Sequence, residues 1–206
     1  IPLSRKADGS GGCALSSIWS GGRPVLAEAM VTHNWGNRFL HLVAAVVADA
    51  LGEATFEGVS ARLASGRIAS IKRKLRRSGA LRKTYWVCAF SINQHRGICG
   101  GLGREPALGE PGRAAWEASA RDSVSHERYP LCTCKEPKYF SDSPVECEMN
   151  KFDDMMSLQA WREPLFRQVV VVDQAFDLFT RAWCVAEIHQ AHTAGMQQVL
   201  VLSTRS

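Results

Sequence analysis

The sequence predicts a three-layer α/β sandwich on a mainly parallel sheet of about four strands. Two observations carry this expectation. Short apolar runs at 25–31, 85–91, 168–172 and 198–202 alternate with segments of helical period. Strands alternating with helices imply parallel crossovers, with the helices packed on the sheet faces. The runs at 85–91 and 168–172 are apolar almost throughout, as in strands buried on both faces. Composition agrees. The chain has 206 residues, 46% hydrophobic and 22% charged, which argues against disorder and leaves enough chain to bury a core.

Residues 1–23 are rich in Gly and Ser (Gly9, Ser10, Gly11, Gly12, Ser20, Gly21, Gly22) and read as a flexible lead-in to a domain at 24–206. The first strand, 25–31, ends in Thr32-His33-Asn34-Trp35. From 37 to 51, Phe39, Leu40, Val43, Val46, Val47, Ala50 and Leu51 keep helical spacing, and Gly52 stops the helix. An insertion at 53–83 follows. It holds nine of the 25 basic residues, all within 62–83, and that stretch has no acid. The net charge of +5 therefore belongs to one segment, and the rest of the chain is mildly acidic. Ala64, Ile68, Ile71 and Leu75 form one narrow stripe on this basic helix, which ends at Gly79.

The second strand is 85–91. A second insertion, 96–146, carries Gly, Pro and Cys without a period, a long loop of the kind that is functional or tied by a metal. A helix at 147–158, a buried strand at 168–172, a helix at 181–193 ended by Gly195 and a third buried strand at 198–202 complete the order.

No apolar run approaches the ~18–20 residues that span a bilayer, so no transmembrane segment is expected. No signal peptide is visible. The chain begins at Ile1 and stops just after the apolar stretch 199–202, which reads as a fragment of a longer protein. Its seven cysteines are irregularly spaced, and an intracellular, cytoplasmic compartment is the expectation.

In parallel sheets ligands bind at the carboxyl ends of the strands. Here those ends are Thr32 to Trp35, Ser91 to His95 and Asp173 to Asp177. Separately, His95, Cys99, Cys132, Cys134 and Cys147 lie in or beside the long loop. Four of these five make a soft nitrogen and sulfur set that suits a structural zinc. Cys88 and Cys184 sit in apolar runs and read as core.

After the third strand comes Arg181-Ala182-Trp183-Cys184-Val185-Ala186-Glu187. Trp183 and Glu187 are four apart and share a helix face. The string Trp183-Cys184-x-x-Glu187 after a buried Val-rich strand resembles the TIR (Toll/interleukin-1 receptor) domain, in which such a helix follows the third strand of a flavodoxin-like fold. The likeness is greatest to a divergent TIR-like group with a His-x-Trp turn, here His33-Asn34-Trp35. The resemblance spans about 26–203. It implies cleavage of NAD at the nicotinamide–ribose bond, with Glu187 as the essential carboxylate. NAD would be a substrate and not a retained cofactor. His33, Trp35, Ser91, Asn93, Arg181 and Trp183 would bind it, with Trp183, Trp35 and Phe90 around its rings.

The sequence departs from the family at Arg181, where Ser or Thr is common, in the missing Arg-Gly turn after the first strand, in the longer loop, and in lacking a fifth strand. Arg181 and the altered loop favour an alternative reading: a non-catalytic TIR-like module that self-associates in signalling. A third reading is binding of an acidic partner or nucleic acid through 62–83. No aromatic platform or paired-ligand zinc finger accompanies that segment, so nucleic acid is not the expected partner.

Overall fold

The computed structural model describes residues 2–100, 103–122, 125–139, 147–148 and 151–204. The strands are β1 (Ala29–His33), β2 (Tyr85–Val87), β3 (Arg167–Val172) and β4 (Gln197–Leu202). The α-helices are α1 (Leu15–Trp19), α2 (Phe39–Ala50), α3 (Glu57–Ala64), α4 (Ile68–Arg77), α5 (Cys88–Ser91), α6 (Arg113–Ser119), α7 (Lys151–Arg162) and α8 (Ala182–Thr193). The chain divides into two compact units: unit 1 is 1–24 with 89–151, and unit 2 is 25–88 with 152–206.

Unit 2 holds the whole sheet. Its order is β2-β1-β3-β4, all parallel, so the α/β sandwich expected from sequence is present. The chain steps one way from β1 to β2 and the other way from β2 through β3 to β4. Right-handed crossovers therefore place α2, α3 and α4 on one face and α7 and α8 on the other. All five residues of β1 are buried, as are the last five of β3, because both faces of these central strands are covered. On the α8 face, Val170, Val172, Leu178 and Cys184 form one cluster. Met30, Phe152, Met156, Phe166, Ala191 and Met196 form another beneath α7 and α8.

Three expectations need correction. The run at 85–91 is a strand only over Tyr85–Val87, and then turns into α5. An unbroken apolar run fits a buried strand or a buried helical turn equally well. The last strand is not enclosed on both faces: β4 is an edge strand, and Leu200 is exposed. Its carboxyl end is held by the loop before α3, where Phe56 N–H donates to Leu202 O at 2.9 Å and Leu202 N–H to Ala54 O at 3.0 Å. The basic insertion forms two helices, not one. Ala64 ends α3, while Ile71 and Leu75 are the buried residues of α4. Gly66 takes φ +71° at the break between them.

In unit 1 the segment read as a lead-in carries α1, and Ser4 is buried there. Trp19 packs against Phe90 with ring centroids 5.4 Å apart. The stretch expected as an unpatterned loop contains α6. Around that helix Arg113 pairs with Glu105 and Glu117, and Arg128 lies 5.0 Å over the Trp116 ring. Residues 140–146, part of the same expected loop, lie outside the described residues.

Candidate functional site

The candidate site of unit 2 lies at the carboxyl end of β1, where the strand order reverses between β1 and β3, the position at which such sheets take ligands. Glu187 stands on α8, packed over this sheet face. Thr32 Oγ1 donates to Glu187 Oε2 at 2.6 Å. Thr32 in turn accepts from Gln168 Nε2 at 2.7 Å, and Gln168 Oε1 accepts from Gln198 Nε2 at 2.7 Å. The three donors all point toward the carboxylate, and such a chain of dipoles polarises in the same sense. Burial nevertheless dominates. It pushes Glu187 from its usual 4.5 to about 7, against the Thr32 hydrogen bond and with help from the negative charge of Asp153 on α7. No salt bridge reaches Glu187 among the described residues.

His33, the last residue of β1, is buried. Its Nδ1 lies 3.4 Å from Asn34 O, and its Nε2 has no hydrogen-bond partner among the described residues. A buried ring nitrogen left unpaired in this way calls for a polar group from ligand or solvent. Burial lowers the His33 pKa, and the Arg181 guanidinium lowers it further, so the ring is neutral near pH 7. Trp35 stacks parallel to His33, with centroids 6.3 Å apart, while keeping 41% of its surface exposed. Trp183, 45% exposed, meets Phe152 edge-on at 5.6 Å. Cys184 donates to His33 O at 3.5 Å. Burial and then the Glu187 charge push its thiol up to about 11, so it stays protonated near pH 7.

Unit 2 thus brings His33, Trp35 and Arg181 near one another, while Glu187 meets Thr32 and Trp183 meets Phe152; Thr32 and His33 are successive strand residues, so their side chains leave opposite faces of the sheet. Ser91 and Asn93 belong to unit 1. There Asn93 caps the turn at Gln94–Arg96, accepting from His95 N–H at 3.1 Å, and donates to Gly12 O at 3.2 Å. Sequence reasoning placed Thr32 at a strand end without giving it a role, and it missed Gln168 and Asp153. Thr32 and Gln168 had a usable signal, since a polar residue inside a buried strand needs a partner. Asp153 had none, because its role depends on how α7 lies beside α8.

Unit 1 contains a second site. One ligand atom from each of His95, Cys99, Cys132 and Cys134 lies within 4.8 Å of all the others, so the cluster can hold a metal ion. Cys99 Sγ and Cys134 Sγ are 3.5 Å apart, as are Cys132 Sγ and His95 Nδ1. A tetrahedral site with Zn–S near 2.3 Å sets its sulfurs about 3.8 Å apart. Cys147 lies outside the cluster, with its thiol 3.7 Å from Tyr139 O. The turn after Cys99 needs Gly100. Its φ is +95°, and a Cβ there would stand 3.3 Å from Cys132 O.

No family model matches the chain, and no curated protein or solved structure does either. The TIR resemblance therefore rests on its motifs. No helix among the described residues is long and apolar enough to cross a membrane.

Proposed function

We propose that unit 2 is a TIR-like domain that binds NAD or a related nucleotide at the β1/β3 strand ends and cleaves the nicotinamide–ribose bond. The observation that supports this reading is Glu187, a mostly buried carboxylate held by Thr32 at the strand ends with no salt-bridge partner among the described residues. Nicotinamide leaves a pyridinium as a neutral group, so the step needs no strong acid. Positive charge develops on the ribose, as in glycoside hydrolysis, and a water molecule bonds to that carbon and gives up a proton to solvent. The ionised Glu187 stabilises that charge in a site of low dielectric. Thr32 holds the carboxylate in place. The exposed faces of Trp35 and Trp183 offer stacking for the rings, and His33 Nε2 accepts from a ribose hydroxyl.

The test is nicotinamide release from NAD by the purified chain. Because Glu187 ionises at about 7, the rate rises with pH through that value and levels off above it. Glu187→Ala lowers the rate roughly 10²- to 10³-fold. No release at high protein concentration, or release that Glu187→Ala leaves intact, sinks the reading. Concentration-dependent oligomers without turnover then point to the self-association module.

The metal cluster of unit 1 is a structural zinc centre of Cys₃His type in this reading. Its donor set is soft and closed, as structural zinc prefers. Elemental analysis of chelator-free protein finds about one zinc per chain.

A further inference from the structure

Resting on that zinc reading, we propose that metal loading fastens the N-terminal loop 4–13 onto the rest of unit 1 through the far side of the His95 ring, so that the loop is a metal-dependent clasp. The two ring nitrogens face two different neighbours. Nδ1 is 3.5 Å from Cys132 Sγ, within the cluster, while Nε2 is 3.1 Å from Ser4 Oγ. His95 is fully buried. A metal on Nδ1 leaves the proton on Nε2, which then donates to Ser4 Oγ; an outer partner of this kind fixes the tautomer and plane of a ligating histidine. Without metal the proton can sit on either nitrogen, and the bond to Ser4 loses its fixed sense.

The loop is shaped for this contact. Lys6 N–H donates to Gly11 O at 2.8 Å and Cys13 N–H to Ser4 O at 3.0 Å, closing a small hairpin that presents Ser4 and Gly12 together. Gly12 lies against the imidazole edge: a Cβ there would stand 2.0 Å from His95 Cδ2. Asn93 grips both sides, with its amide nitrogen on Gly12 O and its oxygen on His95 N–H. Three thiolates around a divalent ion leave one net negative charge. The Lys138 ammonium, 3.1 Å from Cys99 Sγ and 3.8 Å from Cys134 Sγ, offsets it.

Hydrogen exchange of the whole chain, read by mass spectrometry on the peptide covering 3–13, tests the clasp. In the zinc-loaded chain the amides of Lys6, Gly9 and Cys13 exchange slowly. Stripping the zinc with a chelator speeds them at least tenfold, while peptides from β1 and β3 keep their protection. Ser4→Ala retains about one zinc and speeds exchange of the loop about fivefold, the loss of one hydrogen bond. Gly12→Val retains zinc and releases the loop. These two variants test the contacts of Ser4 and Gly12 with His95; loop exchange unchanged on stripping, with zinc lost and the β1 and β3 peptides still protected, overturns the metal dependence. Zinc bound at about one per chain with loop exchange unchanged in both variants overturns the clasp and leaves the zinc centre standing. Failure to bind zinc overturns both.

Discussion

Asp49 and Glu187 are two carboxylates turned onto the same sheet, one at each end. Asp49, on the last turn of α2, meets the first residues of two strands. Arg167 grips it with two bonds of 2.7 Å, and Tyr85 donates to it at 2.6 Å. Burial works against its charge, but the hydrogen bonds of Arg167 and Tyr85 outweigh burial and hold its pKa below the usual carboxylate value. Glu187 has one hydroxyl, no salt-bridge partner among the described residues and a second carboxylate nearby, and its pKa rises to about 7. Burial acts on both groups; only the partners differ. The amino-terminal end of the sheet is fully paired and structural. The carboxyl-terminal end keeps a charge that the protein itself leaves uncompensated, as sites of chemistry do.

Breaking the paired end has the largest expected effect on stability. Arg167→Ala leaves Asp49 buried with the Tyr85 hydroxyl and only the more distant Lys83 charge, and breaking a buried pair costs about 3–5 kcal/mol. Urea denaturation at pH 7 reads this as a lower midpoint with an unchanged slope. The loss shrinks in acid, because the folded pKa of Asp49 is depressed: its stabilisation is present above the unfolded value and fades as pH falls through the folded one. A loss below about 1 kcal/mol at pH 7 would show that this pair is not the anchor of its end of the sheet.

The unpaired end carries the opposite sign. Between 4.5 and about 7 the folded state keeps the Glu187 proton that the unfolded state has lost. Stability therefore falls as pH rises through that window and levels off above it. Glu187→Gln keeps an oxygen for Thr32 to donate to and removes the charge. It stabilises the chain by about 1–2 kcal/mol at pH 8, less than the full shift converts to because the residue keeps some contact with solvent, and by almost nothing at pH 4.5. Under the proposed NAD cleavage, the same variant also loses nicotinamide release. Thermal melts at the two pH values check it; equal shifts at both would mean that the charge of Glu187 carries no cost.

The contrast between the two ends also measures what the sequence made legible. The apolar runs at 168–172 and 198–202 and the helical periods on either side located β3, β4, α2 and α8 to within one or two residues, because hydrophobic spacing is a local property. Glu187 stood out through its position four residues after Trp183. Asp49 did not. It sits in a helix of ordinary composition, and its partners Tyr85 and Arg167 lie 36 and 118 residues away. The same holds for the loop of Ser4 and Gly12, which a Gly- and Ser-rich composition described as loose. What makes it specific is one histidine, 91 residues from Ser4. The cysteines fell between these cases: their residue types announced a soft ligand set, but only the fold separates Cys147 from the four whose ligand atoms converge.

Tyr85→Phe makes the smallest change and the finest test. It removes one hydroxyl from Asp49 and leaves both Arg167 bonds in place. The lost bond is to a charged acceptor, but Arg167 still compensates that charge, so the expected cost is about 1 kcal/mol. Burial and the Asp49 carboxylate raise the Tyr85 pKa, so the phenol stays a donor across the working pH range and the cost does not change between pH 6 and 9. In an Arg167→Ala background the same substitution costs more, because Tyr85 is then the last donor on a buried charge. A double-mutant cycle reads this coupling directly. Strict additivity would mean that Tyr85 and Arg167 serve Asp49 independently, and the amino-terminal end would then be two contacts and not one cooperative clamp.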